Sequence, residues 1–313
     1  MPLLESDAKG VFVISVTPFA DDGAIDFESL DRAIDFYFDK GADGITILGM
    51  MGEAPKLTLP ESHEVAARAI SRAGGRPVIV GCSAPGLAAI GELGKASMDL
   101  GAAAIMVAPP GTLRTDSQIV GYYHDVARVL GDGVPIVLQD FPLATNVHVA
   151  PEVIGRIVAE IPELVMLKHE DWPGLAKISA IRMAESRGQR RISILCGNGG
   201  VFLPEELARG ADGAMTGFGY PEMMVTVTAL VARGELDRAQ DLFDAYLPLV
   251  RYEQQPGVGL AVRKHVLAKR GVIAAPAIRP PGRGLSAEAM AEVDRLVSRQ
   301  ARRLDAIGKS ELH

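Results

Sequence analysis

The chain has 313 residues, 48% hydrophobic and 23% charged, which predicts a globular protein with one large domain or a large and a small one. A formal net charge of −7, without a lysine/arginine block, argues against a nucleic-acid partner. No apolar stretch is long enough to span a bilayer, the N-terminal residues lack the layout of a signal peptide, and the two cysteines suggest no disulfide framework, so a cytoplasmic location is expected.

Short apolar runs rich in valine and isoleucine recur along the chain, each followed by an amphipathic stretch of helix length. They cover residues 11–18, 44–49, 77–83, 104–110, 135–142, 164–170, 192–198 and 213–218. This strict alternation predicts an α/β fold, a closed (β/α)8 TIM barrel. The rival is an open doubly wound sheet, but the GxGxxG of its dinucleotide-binding form does not follow the first run.

The strand pattern ends near residue 220, and the rest of the chain reads as helices with a Pro/Gly-rich joint at residues 275–284. The VTVT string at residues 225–228 makes the first of these helices the weakest prediction. We therefore expect a barrel over residues 1–222 and a helical C-terminal region over residues 223–313.

Lys168 ends the apolar run LVMLK. A buried parallel strand reads as such a run, and an ammonium at its end must be desolvated, paired or reactive. A neutral lysine amine can attack a carbonyl to form a Schiff base. The alternative is a lysine that extends its amine to solvent. Since barrel enzymes carry their sites at the carboxyl ends of the strands, the position of Lys168 favours catalysis.

Other candidates follow from the same rule about strand ends. Glu170 shares a face with Lys168 because side chains alternate along a strand, whereas His169 should point to the helical layer as a packing residue. Gln139 and Asp140 follow the fifth run, Asn198 the seventh and Gly217 the eighth.

Two glycine-containing segments could bind an anion. The backbone N–H groups of GMMGE, which holds Gly49, Met50, Met51 and Gly52, could bind a carboxylate or phosphate, although glycines at a tight turn can also be purely structural. Glycines after the seventh and eighth runs lie where many barrels hold a phosphate. A catalytic metal has little support, because HEVAA at residues 63–67 is not HExxH.

These motifs, in this order, resemble the dihydrodipicolinate synthase / N-acetylneuraminate lyase superfamily over nearly the whole chain. The matching segments are SVTPF, GMMGE in place of GTTGE, PESHEVA, GAAAIMVAPP, the proline of QDFP and the lysine of LVMLKHED. The resemblance implies an imine between Lys168 and a 2-oxo acid such as pyruvate, with no cofactor. It also implies that the GMMGE backbone holds the substrate carboxylate, and that the protein is a homotetramer or a dimer.

The chain departs from the family pattern at three polar positions. Gln139 stands where the family has a proton-relaying tyrosine, and an amide cannot act as a phenol-type acid. Met50 and Met51 replace the hydroxyl pair of GTTGE, and Ala144 stands where dihydrodipicolinate synthases have a substrate-binding arginine. Genuine dihydrodipicolinate synthase activity is therefore not expected.

Three functions remain open at this point. The leading prediction is a carbon–carbon or carbon–oxygen lyase that forms a Schiff base with a different 2-oxo acid, with Glu170, Asp140 or a water as proton carrier. The second is a binding protein whose catalytic relay has decayed. The third is a phosphate-handling barrel enzyme that uses the glycines after the last two strands.

Overall fold

The apolar runs form eight parallel strands that close into a barrel in chain order. The computed structural model describes residues 2–310, and the side chains of residues 2–308. The strands are β1 Gly10–Ile14, β2 Gly44–Ile47, β3 Val78–Gly81, β4 Ala104–Val107, β5 Ile136–Asp140, β6 Leu164–His169, β7 Ser193–Cys196 and β8 Gly213–Ala214. The predicted TIM barrel is confirmed, and no open edge remains among these strands because β8 pairs with β1.

Helices alternate with the strands and then continue beyond them. They are α1 Phe27–Asp39, α2 Leu59–Ala73, α3 Leu87–Asp99, α4 Asp116–Leu130, α5 Pro142–Thr145, α6 Pro151–Glu160, α7 Leu175–Ser186, α8 Leu203–Ala208, α9 Pro221–Ala232, α10 Leu236–Glu253, α11 Gly259–Lys269 and α12 Ala287–Ser310. Helix α2 begins with a capping box in which Thr58 and Glu61 bind each other's backbone N–H groups. Helix α9 includes the VTVT string and contacts β1 and β8, so tertiary packing overrides the strand preference of that string.

The C-terminal extension consists of α10, α11 and α12, and α10 contacts both of the other two. The division of the chain at residue 222 stays a prediction. Its two outer ends, residue 1 and residues 311–313, lie outside the described residues.

The strands are shorter than the runs that predict them, and β8 is the extreme case with two residues. Gly213 has a φ of +155°, and a Cβ there would lie 1.8 Å from the carbonyl oxygen of Gly10. Glycine is therefore required where β8 approaches β1 to close the barrel. The remaining residues of the run form the irregular segment that reaches the mouth of the barrel.

Side chains inside the barrel form a core of their own, separate from the larger core between strands and helices. Its members on the strands are Phe12, Ile14, Ile79, Ala104, Met106, Val137, Met166 and Leu195. Because side chains alternate, Val137 and Met166 put Gln139 and Lys168 on the inner face of their strands. The strand positions that form this inner core therefore determine which strand-end side chains point into the mouth of the barrel.

Candidate active site

Lys168 lies at the carboxyl end of β6, inside the mouth of the barrel. Only 5% of the residue is exposed, and its Nζ lies 2.8 Å from Oε2 of Glu170. Nε2 of Gln139 donates a hydrogen bond of 2.7 Å to the same Glu170 oxygen, and Gln139 is directly opposite Lys168 in the β5–β6 register. The three predicted catalytic residues therefore form one connected group. Lys168 does not extend to solvent, because its amine is paired with a buried carboxylate.

A cavity of about 80 Å³ contains this group. The predicted residues that line it are Met50, Met51, Gln139, Lys168, Glu170, Asn198 and Gly217. Nδ2 of Asn198 donates to the Glu170 carbonyl oxygen over 2.7 Å, so Asn198 holds the chain just after β6. The strand-end rule thus brings residues from β2, β5, β6, β7 and β8 to one small cavity.

Asp140 is an incorrect prediction. It is fully buried but does not line the cavity, and its Oδ2 accepts a hydrogen bond of 2.6 Å from Nζ of Lys177 on α7. The physical reason is alternation: Gln139 points into the barrel, so its neighbour Asp140 points to the helices. Burial raises the pKa of Asp140 to about 6, although the Lys177 ammonium opposes that rise. Asp140 therefore lies outside the cavity that holds Lys168 and Glu170.

His169 lies on the same outer face, as the alternation predicts. Its ring is 1% exposed, and a Cβ at Gly174 would lie 2.3 Å from its Nε2. Burial lowers the pKa of His169 to about 4, which keeps the ring neutral near neutral pH.

The GMMGE segment forms a 3-10 turn over Met50–Gly52. The N–H groups that open such a turn, here those of Met50 and Met51, have no acceptor within the turn itself. Gly49 and Gly52 were predicted to bind substrate, but neither lines the cavity. The Gly52 carbonyl oxygen accepts a hydrogen bond of 2.6 Å from the Thr17 hydroxyl, and the Gly49 carbonyl accepts from the Gly52 N–H. These two glycines shape the turn and lie outside the cavity.

Glu53, the last residue of GMMGE, ties this turn to the C-terminal helices. It has a positive φ of 56°, and its Oε1 accepts a hydrogen bond of 2.6 Å from Nζ of Lys264 on α11. Both side chains are essentially unexposed, and Lys56 binds the other Glu53 oxygen over 2.7 Å. A carboxylate shared by two ammonium groups is the compensation that a buried charge needs. Glu53 therefore fixes the position of the turn.

Five residues that line the cavity were missed by the sequence analysis. They are Ile14, Phe141, Thr216, Gln254 and Arg263. Ile14 and Phe141 share the inner face of their runs with Phe12 and Gln139, so parity could have found them, whereas Thr216 lies in the irregular segment after β8. Gln254 follows α10 and Arg263 lies on α11, and no local pattern indicates that these helices reach the barrel mouth.

At Gly197 and Gly219, which follow β7 and β8, no open space is left for a phosphate. A Cβ at Gly197 would lie 2.1 Å from Cγ of Glu170, and one at Gly219 would lie 2.5 Å from Val266. These glycines admit neighbouring side chains, and the Glu170 carboxylate beside Gly197 would repel an anion. A phosphate site at this position therefore has no support.

Behind the barrel, Glu206 of α8 provides a testable pH effect on stability. Burial raises the pKa of Glu206 to about 7 from its ordinary value of 4.5. The folded state therefore holds a proton that the unfolded state has lost, so stability falls as the pH rises from about 4.5 to about 7. We expect Glu206→Gln to raise the free energy of unfolding by about 3 kcal/mol at pH 8 and hardly at all near pH 4.5.

Urea unfolding of both proteins at pH 4.5 and pH 8 measures this difference. Glu92→Gln is the control, because it removes an exposed carboxylate from α3, whereas the charge of Glu205 itself helps to raise the pKa of Glu206. A Glu206→Gln effect of equal size at both pH values would contradict the expectation.

Comparison with known proteins gives consistent matches over most of the chain. A model of the dihydrodipicolinate synthetase family matches residues 7–300. The L-2-keto-3-deoxyarabonate dehydratase of Azospirillum brasilense is 31% identical over 304 residues, which cover 96% of this chain and 95% of that protein. The 4-hydroxy-tetrahydrodipicolinate synthase of Persephonella marina is 32% identical over 247 residues, covering 78% and 82% respectively.

Among solved structures, a crystal structure of dihydrodipicolinate synthase from Rhodopseudomonas palustris superimposes with a TM-score of 0.94. It is 53% identical in sequence and covers 96% of this chain and 100% of its own. The match includes both the barrel and most of the C-terminal helices.

Proposed function

The chain belongs to the dihydrodipicolinate synthetase family and is a Schiff-base lyase of that family; we propose that Lys168 forms the imine and that the substrate is a 2-keto-3-deoxy sugar acid, which is dehydrated. The observation that carries this proposal is the contact between Nζ of Lys168 and the Glu170 carboxylate, at 2.8 Å. A carboxylate beside the imine nitrogen is within reach of the carbon next to the imine carbon. Glu170 can therefore serve as the proton carrier that the family pattern otherwise assigns to a tyrosine.

The proposed reaction proceeds in balanced steps. The Lys168 amine attacks the C2 carbonyl, and the carbonyl oxygen leaves as water to give an iminium. The iminium draws electrons from C3, so Glu170 removes a C3 proton, the C3–H electron pair forms a C2–C3 double bond, and the C2–N π pair moves onto nitrogen to give an enamine. The nitrogen pair then restores the iminium, the C2–C3 π pair forms the C3–C4 double bond, and the C4–O bond breaks. The departing hydroxide takes the proton from Glu170 and leaves as a second water. Hydrolysis of the imine then releases the product and restores Lys168. No cofactor takes part in these steps.

The surroundings of Glu170 support this role. Gln139 donates to the carboxylate oxygen that contacts Lys168, and a neutral amide can orient the carboxylate without taking up its proton. The backbone N–H groups of Met50 and Met51 are available for the substrate carboxylate at C1. The dehydratase from Azospirillum brasilense matches nearly the whole chain, whereas the Persephonella marina synthase matches 78% of it.

Synthesis of dihydrodipicolinate is not proposed, and here the proposal departs from the name carried by the Rhodopseudomonas palustris structure. The described residues that line the cavity include no tyrosine, and Ala144 on α5 is exposed and contributes no cation to it. Arg263, from the opposite side of the barrel mouth, is the guanidinium that lines the cavity. The decayed binding protein and the phosphate-handling enzyme gain no support, because the matched relatives are lyases and the lysine and its carboxylate are both in place.

Borohydride trapping tests the proposal directly. We expect reduction in the presence of pyruvate or 2-keto-3-deoxyarabonate to leave a covalent adduct on Lys168, identified by peptide mass spectrometry. We also expect turnover of 2-keto-3-deoxyarabonate, and none of pyruvate with aspartate semialdehyde. The absence of an adduct with a broad panel of 2-oxo acids would overturn the imine. Efficient condensation with aspartate semialdehyde would instead overturn the substrate class.

We further propose that the active form is a homo-oligomer, a tetramer or a dimer, in the cytoplasm. Phe202 is 41% exposed and packs edge-on against Trp172, with ring centroids 5.7 Å apart, and a contiguous exposed apolar surface of this kind favours burial against another copy. Light scattering measures the mass in solution, and a strict monomer would contradict this part of the proposal. Among residues 2–310, no helix has the length and apolarity needed to cross a membrane.

A further inference from the structure

Arg263 of α11 is a buried arginine with one uncommitted nitrogen at the cavity. It is 2% exposed, and its Nε and Nη2 both donate to Oε1 of Glu253, with the Nε bond at 2.7 Å. Its Nη1 has no hydrogen-bond partner among the described residues, although Arg263 lines the same cavity as Lys168. A buried N–H group without a partner costs free energy, so a partner that arrives with the ligand would be stabilising.

Two glycines give the C-terminal helices access to the cavity. A Cβ at Gly217 would lie 2.2 Å from Nη1 of Arg263, and a Cβ at Gly199 would lie 1.8 Å from Nε2 of Gln254. Any larger residue at either position would push the guanidinium or the amide away. The nearest group to the missing Gly217 side chain is thus the uncommitted nitrogen itself, which indicates that Gly217 serves to let Arg263 reach the ligand.

The strand order places Arg263 and Glu170 on different sides of the mouth. Gly217, beside Arg263, follows β8, which pairs with β7 and β1, whereas Glu170 follows β6, on the far side of β7. A ligand attached to Lys168 on β6, with its C1 carboxylate at Met50 and Met51, can extend its tail, the carbons beyond C3, towards the β8 side of the mouth. Arg263 and Gln254 are then the polar groups that the tail meets.

The charges around the cavity limit the kind of tail that fits. Lys168 with Glu170, and Arg263 with Glu253, are two paired cations and carboxylates. The C1 carboxylate of a bound 2-oxo acid already adds one uncompensated negative charge, and a second carboxylate in this buried space would add another. An N–H of a charge-balanced guanidinium still donates well to a neutral hydroxyl oxygen. Gln254 and Asn198 are neutral amides that suit hydroxyl groups as well.

We propose that Nη1 of Arg263 donates a hydrogen bond to a tail hydroxyl of the bound substrate and so selects hydroxylated 2-oxo acids with a single carboxylate. This inference rests on the proposed function and deepens it, since it names the groups that the substrate tail must carry. An apolar tail would leave Nη1 unpaired, and a carboxylate tail would place excess negative charge beside Glu253 and Glu170.

The test uses three ligands of five carbons that differ in the tail: 2-keto-3-deoxyarabonate, 2-oxopentanoate and 2-oxoglutarate. The half-saturation concentration for borohydride trapping on Lys168 is measured for each, counting every adduct at that residue. With the unaltered protein we expect 2-keto-3-deoxyarabonate to saturate at a concentration about 10-fold or more below the other two. Equal half-saturation for all three would overturn the inference while leaving the imine intact. No adduct with any of them would overturn the proposed function itself.

A double variant, Glu253→Gln with Arg263→Met, removes the donor without leaving a buried charge unpaired. We expect its half-saturation for 2-keto-3-deoxyarabonate to rise about 10- to 100-fold, because a hydrogen bond from a charged donor is lost. For 2-oxopentanoate we expect a change of less than about 3-fold. An equal rise for both ligands, as a merely structural role would produce, overturns the inference.

Gly217→Ala gives an independent variant if the double variant does not fold. Its methyl group would lie 2.2 Å from Nη1 and 2.8 Å from the Ile14 carbonyl oxygen. We therefore expect it to displace Nη1 and to lower stability, with the same selective loss for the hydroxylated ligand. Gly121→Ala on α4 is the matched control, since a Cβ there meets nothing within 4 Å. Unchanged selectivity in Gly217→Ala would contradict the role of Arg263.

Discussion

Replacing Lys168 by alanine is expected to lower turnover by at least about 10³-fold and to remove the borohydride-trapped adduct. Among the described residues that line the cavity, Lys168 carries the only primary amine, and the 2-oxo acid is not activated without an imine. The measurement is steady-state turnover of 2-keto-3-deoxyarabonate, together with mass spectrometry of the trapped protein.

Lys95→Ala provides the control for the Lys168 prediction. Lys95 lies exposed on α3, so this variant should keep both the adduct at Lys168 and its turnover. Full activity in Lys168→Ala would show that the chemistry does not proceed through this residue. Retained binding without turnover in the unaltered protein would instead favour a binding protein on an enzyme scaffold.

Replacing Glu170 by glutamine is expected to lower turnover by about 10²- to 10⁴-fold while the imine still forms. Glutamine has nearly the same volume and can still accept the hydrogen bond from Gln139, so the change removes mainly the capacity to carry a proton. Trapping with pyruvate should therefore continue, whereas exchange of the pyruvate methyl protons with deuterated water should become slow. Proton NMR follows that exchange without requiring the natural substrate.

Asp140→Asn is the matched control for Glu170→Gln, because both replace a buried carboxylate by its amide at the end of neighbouring strands. The Asp140 carboxylate faces Lys177 on the outer side of the barrel. We expect Asp140→Asn to reduce stability and to leave the exchange rate largely intact. Fast exchange in Glu170→Gln, or slow exchange in Asp140→Asn, would identify a different proton carrier.

The sequence predicted most of the fold because the barrel strands are buried on both faces and therefore read as apolar runs. Alternation along the sixth run correctly separated Glu170 from His169. The same rule applied to the fifth run would have excluded Asp140, since Gln139 and Asp140 cannot both point into the barrel. That error came from taking every residue at a strand end as a candidate without asking which face of the strand its side chain lies on.

The remaining part of the site could not be predicted from local pattern. Arg263 lies 46 positions after Gly217 in the sequence and reaches the cavity from helix α11. Its approach depends on how α10 and α11 pack on the barrel mouth. Gly217 looked like a possible phosphate ligand because a glycine after the eighth strand has that association. Its actual neighbour is a guanidinium, a relation that only the tertiary structure reveals.

The buried pair of Glu53 and Lys264 has a consequence for how this protein can diversify. It joins the turn at Met50–Gly52, where we propose that the C1 carboxylate binds, to the helix that carries Arg263, although 211 positions separate Glu53 and Lys264. An exchange of C-terminal helices between related lyases would replace Gln254 and Arg263, which line the cavity. We expect the turn to keep its position only if the incoming helices supply a lysine to pair with Glu53. We therefore expect that exchanging α10 and α11 together can change the substrate specificity, while Lys168 and Glu170 stay in place on the barrel.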